Sequence, residues 1–79
     1  MTQEETIEEI VKKYMPRRVQ IELKPETLLI EQAGIDSARM VDIALDIEEK
    51  FNILFEDAAK PKTYGELLEY VGKLTAQRG

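Results

Sequence analysis

Histidine and cysteine, the two side chains behind much of protein chemistry, do not occur among the 79 residues of this chain. Their absence rules out a Ser-His-Asp triad, a Cys-His pair and ordinary zinc coordination. It also leaves no disulfide and no thiolate to act as nucleophile or ligand. Chemistry must come from 16 Asp and Glu, 11 Lys and Arg and the hydroxyls. These carboxylates form no clear paired motif for general acid–base work, and no Gly-rich phosphate loop is present. No catalytic residue and no metal site is expected, so an independent enzyme is the least favoured class. Chemistry-bearing residues concentrate between Asp36 and Asp57. Asp36 and Ser37 open this segment, and Asp42, Asp46, Glu48, Glu49, Glu56 and Asp57 follow against Arg39 and Lys50, a net charge of −5 that equals that of the whole chain. Such a charge run is usually a solvated helix face. It also suits docking, because an acidic patch steers and orients a basic partner. The acidic balance argues against nucleic acid, which needs a basic face.

The elements that must position these residues follow from periodicity. Thr2 and Glu5 have capping-box spacing, and Ile7, Ile10, Val11 and Tyr14 recur on one helical face until Pro16 ends the run. From 17 to 35 the pattern is harder. Val19, Ile21 and Leu23 alternate with polar residues as a strand would, yet no second run pairs with them. The spacing predicts an extended connection that lays these three on the core, with Leu28, Leu29 and Ile30 packing within a short helical turn after Pro25. Gly34 closes the loop, and Asp36 or Ser37 caps a second helix. That helix buries Met40, Ile43, Ala44, Ile47 and Phe51 and stops at Asn52. A short helix is expected over residues 56–60. The last helix starts at the capping-box pair Thr63 and Glu66 and buries Tyr64, Leu67, Leu68, Val71 and Leu74, and its polar tail from Ala76 is expected to fray.

The expected fold class is therefore all-α: a small four-helix bundle of three longer helices and one short one, with a long loop between the first two, in a single domain over 1–79. No stretch approaches the roughly 18 apolar residues of a membrane span, and the N-terminus lacks a signal peptide's apolar core. A cytoplasmic protein without membrane insertion is the expectation. On the second helix Val41 and Leu45, with Ala38 one turn earlier, flank the buried stripe among acids. An apolar strip with an acidic border resembles the core and rim of an interaction site.

The run Gly34-Ile35-Asp36-Ser37-Ala38-Arg39-Met40-Val41-Asp42-Ile43 resembles the modification site of the acyl carrier protein family, which has Gly-x-Asp-Ser-Leu at the start of its second helix. Glu48-Glu49-Lys50-Phe51 is similar to the Glu-Glu-x-Phe that ends that helix, and the order of elements from Ile7 to Val71 is also similar. The resemblance implies that Ser37 receives 4′-phosphopantetheine from coenzyme A as a phosphodiester, and that the arm's thiol holds an acyl group as a thioester. It gives Asp36 a contact with the phosphopantetheinyl transferase. It places Ala38, Val41, Asp42, Leu45, Glu48, Glu49 and Asp57 against partners: the transferase and acyl-loading, synthase or acyltransferase enzymes with basic docking surfaces. Ile47, Phe51, Ile53, Leu68 and Val71 would line an interior able to shelter the acyl chain, though helical core explains them equally well.

The missing His and Cys fit a passive acceptor whose base comes from the transferase and whose thiol is imported. A monomer is the simplest state for such a carrier in fatty acid, polyketide or specialised lipid biosynthesis. Three departures favour a specialised pathway over primary fatty-acid synthesis. Ala38 stands where leucine is usual, Arg39 replaces a commonly acidic residue, and the stretch from Phe51 to Tyr64, with Pro61 in it, looks short. The competing reading is an acidic helical interaction module without a prosthetic group, whose partner binding would ignore Ser37.

Overall fold

The computed structural model describes residues 2–56 and 60–78. Within them lie three helices, α1 (Gln3–Tyr14), α2 (Ser37–Phe51) and α3 (Tyr64–Arg78), and no strand. The fold class is all-α, as expected. The short helix expected over 56–60 falls mainly on residues 57–59, outside the described residues, while Glu56 and Lys60 on either side are not helical.

Each helix starts and stops for a local reason. In α1 the capping box forms: Thr2 Oγ1 accepts the Glu5 N–H at 3.2 Å, and Glu5 Oε1 accepts the Thr2 N–H at 3.3 Å. The helix ends where Met15, held extended by the following Pro16, turns to ψ 138°. Asn52 ends α2 in the left-handed conformation, with φ 54° and ψ 52°, which asparagine tolerates better than most residues. At the start of α3 the expected box is half formed. Thr63 Oγ1 accepts the Glu66 N–H at 3.1 Å, but Glu66 Oε1 reaches back one residue further, to the Lys62 N–H at 2.8 Å. The chain there is already fixed by an isolated bridge between Leu28 and Thr63. Leu29 donates to the Lys62 carbonyl and Tyr64 to the Thr27 carbonyl, both at 2.9 Å. Instead of fraying at Ala76, α3 runs on to Arg78, through residues of good helix propensity.

One apolar cluster joins all three helices to the loop: Ile7 and Val11 of α1, Ile43 and Ile47 of α2, Tyr64, Leu67 and Val71 of α3, and Leu23, Leu29, Ala33 and Ile35 between α1 and α2. Burial, followed by the nearby carboxylates of Glu8 and Glu4, pushes the Tyr64 hydroxyl up to about 12. The loop corrects the expected packing at two positions, Ile21 and Ile30. Leu23 and Leu29 are buried and Val19 half-buried, but Ile21 is 39% and Ile30 57% exposed. Residues 19–24 form no turn, and tight turns stand before them, after them and over 29–33. Val19 donates to the Pro16 carbonyl at 3.0 Å, Thr27 to that of Lys24 at 2.9 Å, and Gln32 and Ala33 both to that of Leu28 at 3.0 Å. Successive residues of a turn point in different directions, so Leu29 enters the core while Ile30 leaves it.

Candidate functional site

The loop delivers Ser37 through three anchored residues. Gly34 has φ +72°, and a Cβ there would sit 3.1 Å from Val19 Cγ2, so a side chain would be both strained and crowded. Ile35 is fully buried and donates to the Leu29 carbonyl at 3.1 Å. Asp36 is the N-cap, its Oδ1 accepting the Arg39 N–H at 2.8 Å. This settles the choice between Asp36 and Ser37 as cap. Ser37 is the first helical residue and is exposed. With Asp36 serving Arg39, the Ser37 and Ala38 N–H groups have no hydrogen-bond acceptor among the described residues. They lie at the positive end of the helix dipole.

Beside Ser37 opens a pocket of about 400 Å³. Ser37, Met40, Val41, Ile43 and Ala44 of α2 form one wall, Ile30, Phe55 and Pro61 come from loops, Leu67 comes from α3, and Lys60 supplies the cation. Of the two readings of the interior residues, helical core is the one that holds. Ile47, Phe51, Ile53, Leu68 and Val71 are not in the wall; Ile47 and Val71 are fully buried in the core cluster, where side chains already fill the space. The pocket lies instead against the N-terminal half of α2, where the small Ala44 and the outward Val41 leave room.

Along the outer face of α2, Val41 is 58% and Leu45 55% exposed, with Ala38, Asp42 and Glu49 exposed around them. The structure thus brings together the apolar strip and two of its expected acids. Glu48 is only half-buried and is engaged: its Oε2 accepts the Phe55 N–H at 2.7 Å and so fastens the segment after α2. Asp57 lies outside the described residues. Sequence reasoning missed the role of Asp46, whose Oδ2 accepts from the Tyr14 hydroxyl at 2.7 Å and from Lys13 Nζ at 3.2 Å. The Tyr14 hydrogen bond, with Lys13 adding, holds the Asp46 carboxyl below the usual carboxylate range. The same contact raises Tyr14 and Lys13. Also missed were the exposed Ile30 and Leu54, the latter 81% exposed; loop residues carry no period from which a facing could be read. Among the described residues no cluster of carboxylates could hold a metal ion, and no helix is long and apolar enough to cross a membrane.

No protein-family profile matches the chain. Individual relatives do. An acyl carrier protein from Wolinella succinogenes is 38% identical over 52 residues, covering 63% of this chain and 68% of that protein. The meromycolate extension acyl carrier proteins of Mycobacterium leprae and Mycobacterium tuberculosis are 36% identical over 55 residues, 67% of this chain. The match spans about half (48%) of the length of those two mycobacterial proteins. Identity of this order across two thirds of the Wolinella protein, on an all-helical frame that opens its second helix with an exposed serine, makes the chain a member of the acyl carrier protein family.

Proposed function

We propose that the chain carries an acyl or related group on a 4′-phosphopantetheine arm attached to Ser37 and hands it to separate enzymes of fatty acid, polyketide or specialised lipid biosynthesis. The observation that carries this reading is the placement of Ser37, exposed at the first position of α2 and at the mouth of an apolar pocket. The residues present fit the group. A phosphodiester at Ser37 Oγ would face the free N–H groups of the helix start, where the dipole favours an anion. When bound, the arm supplies the thiol that the chain lacks. The protein's own part is to hold Ser37 in the open through the Gly34–Ile35–Asp36 anchors and to offer Ala38, Val41, Asp42, Leu45 and Glu49 to a visiting enzyme. Glu48 also belongs to this face by position, but its carboxylate already serves the Phe55 backbone. In this reading Asp57 joins the docking surface. Asp36, as cap, keeps the serine at the helix start where a transferase reaches it. The departures at Ala38 and Arg39 favour a specialised pathway, and the carrier works as a cytoplasmic monomer.

The test is intact mass before and after incubation with coenzyme A, Mg²⁺ and a broad-specificity phosphopantetheinyl transferase. One phosphopantetheine increment on the wild type and none on Ser37→Ala, with the helical spectrum of the variant unchanged, is the expected result. Modification that survives the substitution would sink the assignment. No increment under conditions that modify another carrier would favour the interaction-module reading.

A further inference from the structure

Among the described residues, Lys60 is the one charged side chain in the wall of the pocket beside Ser37. It is exposed and makes no ion pair with any of them. The backbone of Leu29 draws Lys60 and Ser37 toward each other. Its N–H donates to the Lys62 carbonyl at 2.9 Å, and its carbonyl accepts from the Ile35 N–H at 3.1 Å. Lys60 lies two residues before the first of these bonds and Ser37 two residues after the second, each at most about 7 Å of chain away. The four-carbon stem of a lysine is flexible enough to use that proximity.

The pocket is graded from rim to floor. Ile43 and Leu67 are 0% and 1% exposed and form its floor, whereas Ile30, Ser37 and Lys60 are exposed and stand at its rim. A charge carried to the floor would lose its water and find no partner. At the rim a charge keeps water on one side and meets Lys60 on the other. The rim also needs a cation once Ser37 bears a phosphodiester. The exposed Asp36 already sets a carboxylate one residue away, and like charges that close repel. Arg39 is no substitute: two residues along α2 from Ser37, it falls on a different side of the helix and is not in the wall.

We infer that Lys60 is the counter-ion of the phosphodiester on Ser37, and that this pair lays the root of the arm across the pocket mouth. The inference deepens the carrier reading and rests on it for the arm being present. Held only at Ser37 Oγ, the arm swings freely. Held at a second point on the same rim, it starts toward the apolar space between α2 and α3. Lys60 is therefore a positioning residue.

The chain has no cysteine, so an uncharged thiol-reactive nitroxide attaches to the arm alone. On the loaded, ¹⁵N-labelled chain it broadens the amides that the arm visits. At low salt, broadening at Ile30, Val41 and Ala44 should fall about 1.5- to 5-fold in Lys60→Ala, the effect of one exposed charge pair. It should stay near the wild-type level in Lys60→Arg and in Arg39→Ala, and should fall in the wild type as salt screens the pair. Before loading, each variant should give the wild-type spectrum apart from amides beside the substitution, since both side chains are exposed. Broadening that is unchanged in Lys60→Ala, or indifferent to salt, would overturn the proposal. An equal fall in Arg39→Ala would overturn it too, by giving the diester to that residue. Because the label is uncharged, a cation reserved for a carboxylate on the cargo would show no Lys60 dependence here, which again contradicts the proposal. Intact mass reads loading beforehand. A chain that never loads fails the carrier reading, whereas one that loads without Lys60 dependence fails this inference alone.

Discussion

Four acids lie within eight residues of α2, and the structure divides them into two kinds. Asp46 and Glu48 are held: one bonds Tyr14 and Lys13 of α1, the other bonds the backbone of Phe55. Asp42 and Glu49 are presented, exposed and free of ion pairs among the described residues. In sequence all four read as one charge run. What separates them is angular position on the helix. Asp46 falls on the flank that meets α1 and Glu48 on the flank above the segment after Asn52, while Asp42 and Glu49, two turns apart, lie together along one side of the outward strip of Val41 and Leu45. Held acids should therefore govern stability, and presented acids should govern encounters.

The comparison breaks altogether if its scaffold is removed. Ile47→Ala deletes a fully buried side chain and should cost about 2–5 kcal/mol, a large part of the stability of so small a domain. Thermal melting followed by circular dichroism should show the midpoint collapse. Glu48→Ala should cost about 1 kcal/mol through the orphaned Phe55 N–H. Its phosphopantetheine loading should stay within about twofold of wild type if electrostatic steering comes from the other acids.

Asp46→Asn should lower the melting midpoint less, and in a pH-dependent way. The folded-state carboxyl lies below its ordinary value because Tyr14 hydrogen-bonds it and Lys13 adds. Its contribution is present above the unfolded value of about 3.9 and is lost as pH falls through the lower folded one. Melts from pH 7 downward should show the wild-type advantage closing only in acid. Tyr14 behaves in the opposite sense, raised first by its bond to Asp46. Its contribution holds below the unfolded value of about 10 and is lost as pH rises through the raised one. The smallest effect on stability belongs to the presented pair. Asp42→Lys with Glu49→Lys should move stability by no more than about 0.5 kcal/mol per site, yet slow loading by a basic-faced transferase through its association rate, most visibly at low salt. Unchanged rates across salt concentrations would reduce these two acids to solvated surface.

The helices could be read from the sequence because their signals are local. The Thr2–Glu5 box, the Pro16 stop, the Asp36 cap and the Asn52 terminator each act within four residues. The buried stripes follow from a fixed 3.6-residue period. What could not be read depends on contacts between distant segments. Ile30 turns outward because of hydrogen bonds that close the turn after Leu28, and Glu66 reaches to Lys62 because Leu28 bridges Thr63. Asp46 finds a tyrosine 32 residues away. The candidate site divides in the same manner. Ser37, Asp36 and the Val41–Leu45 strip came from local pattern and resemblance, whereas the pocket wall came from a loop, a second helix and the segment before it. That is why the five residues weighed as either lining or helical core fell to the core.

The most direct measurement is the ¹⁵N–¹H spectrum of the chain before and after loading with phosphopantetheine. The account predicts shifts centred on Ser37 and Ala38, extending to pocket residues such as Ile30, Val41 and Ala44, with Lys13, Tyr14 and Asp46 unmoved. A spectrum that does not change, or one that changes most at the α1–α2 contact while the Ser37 end stays still, would contradict it.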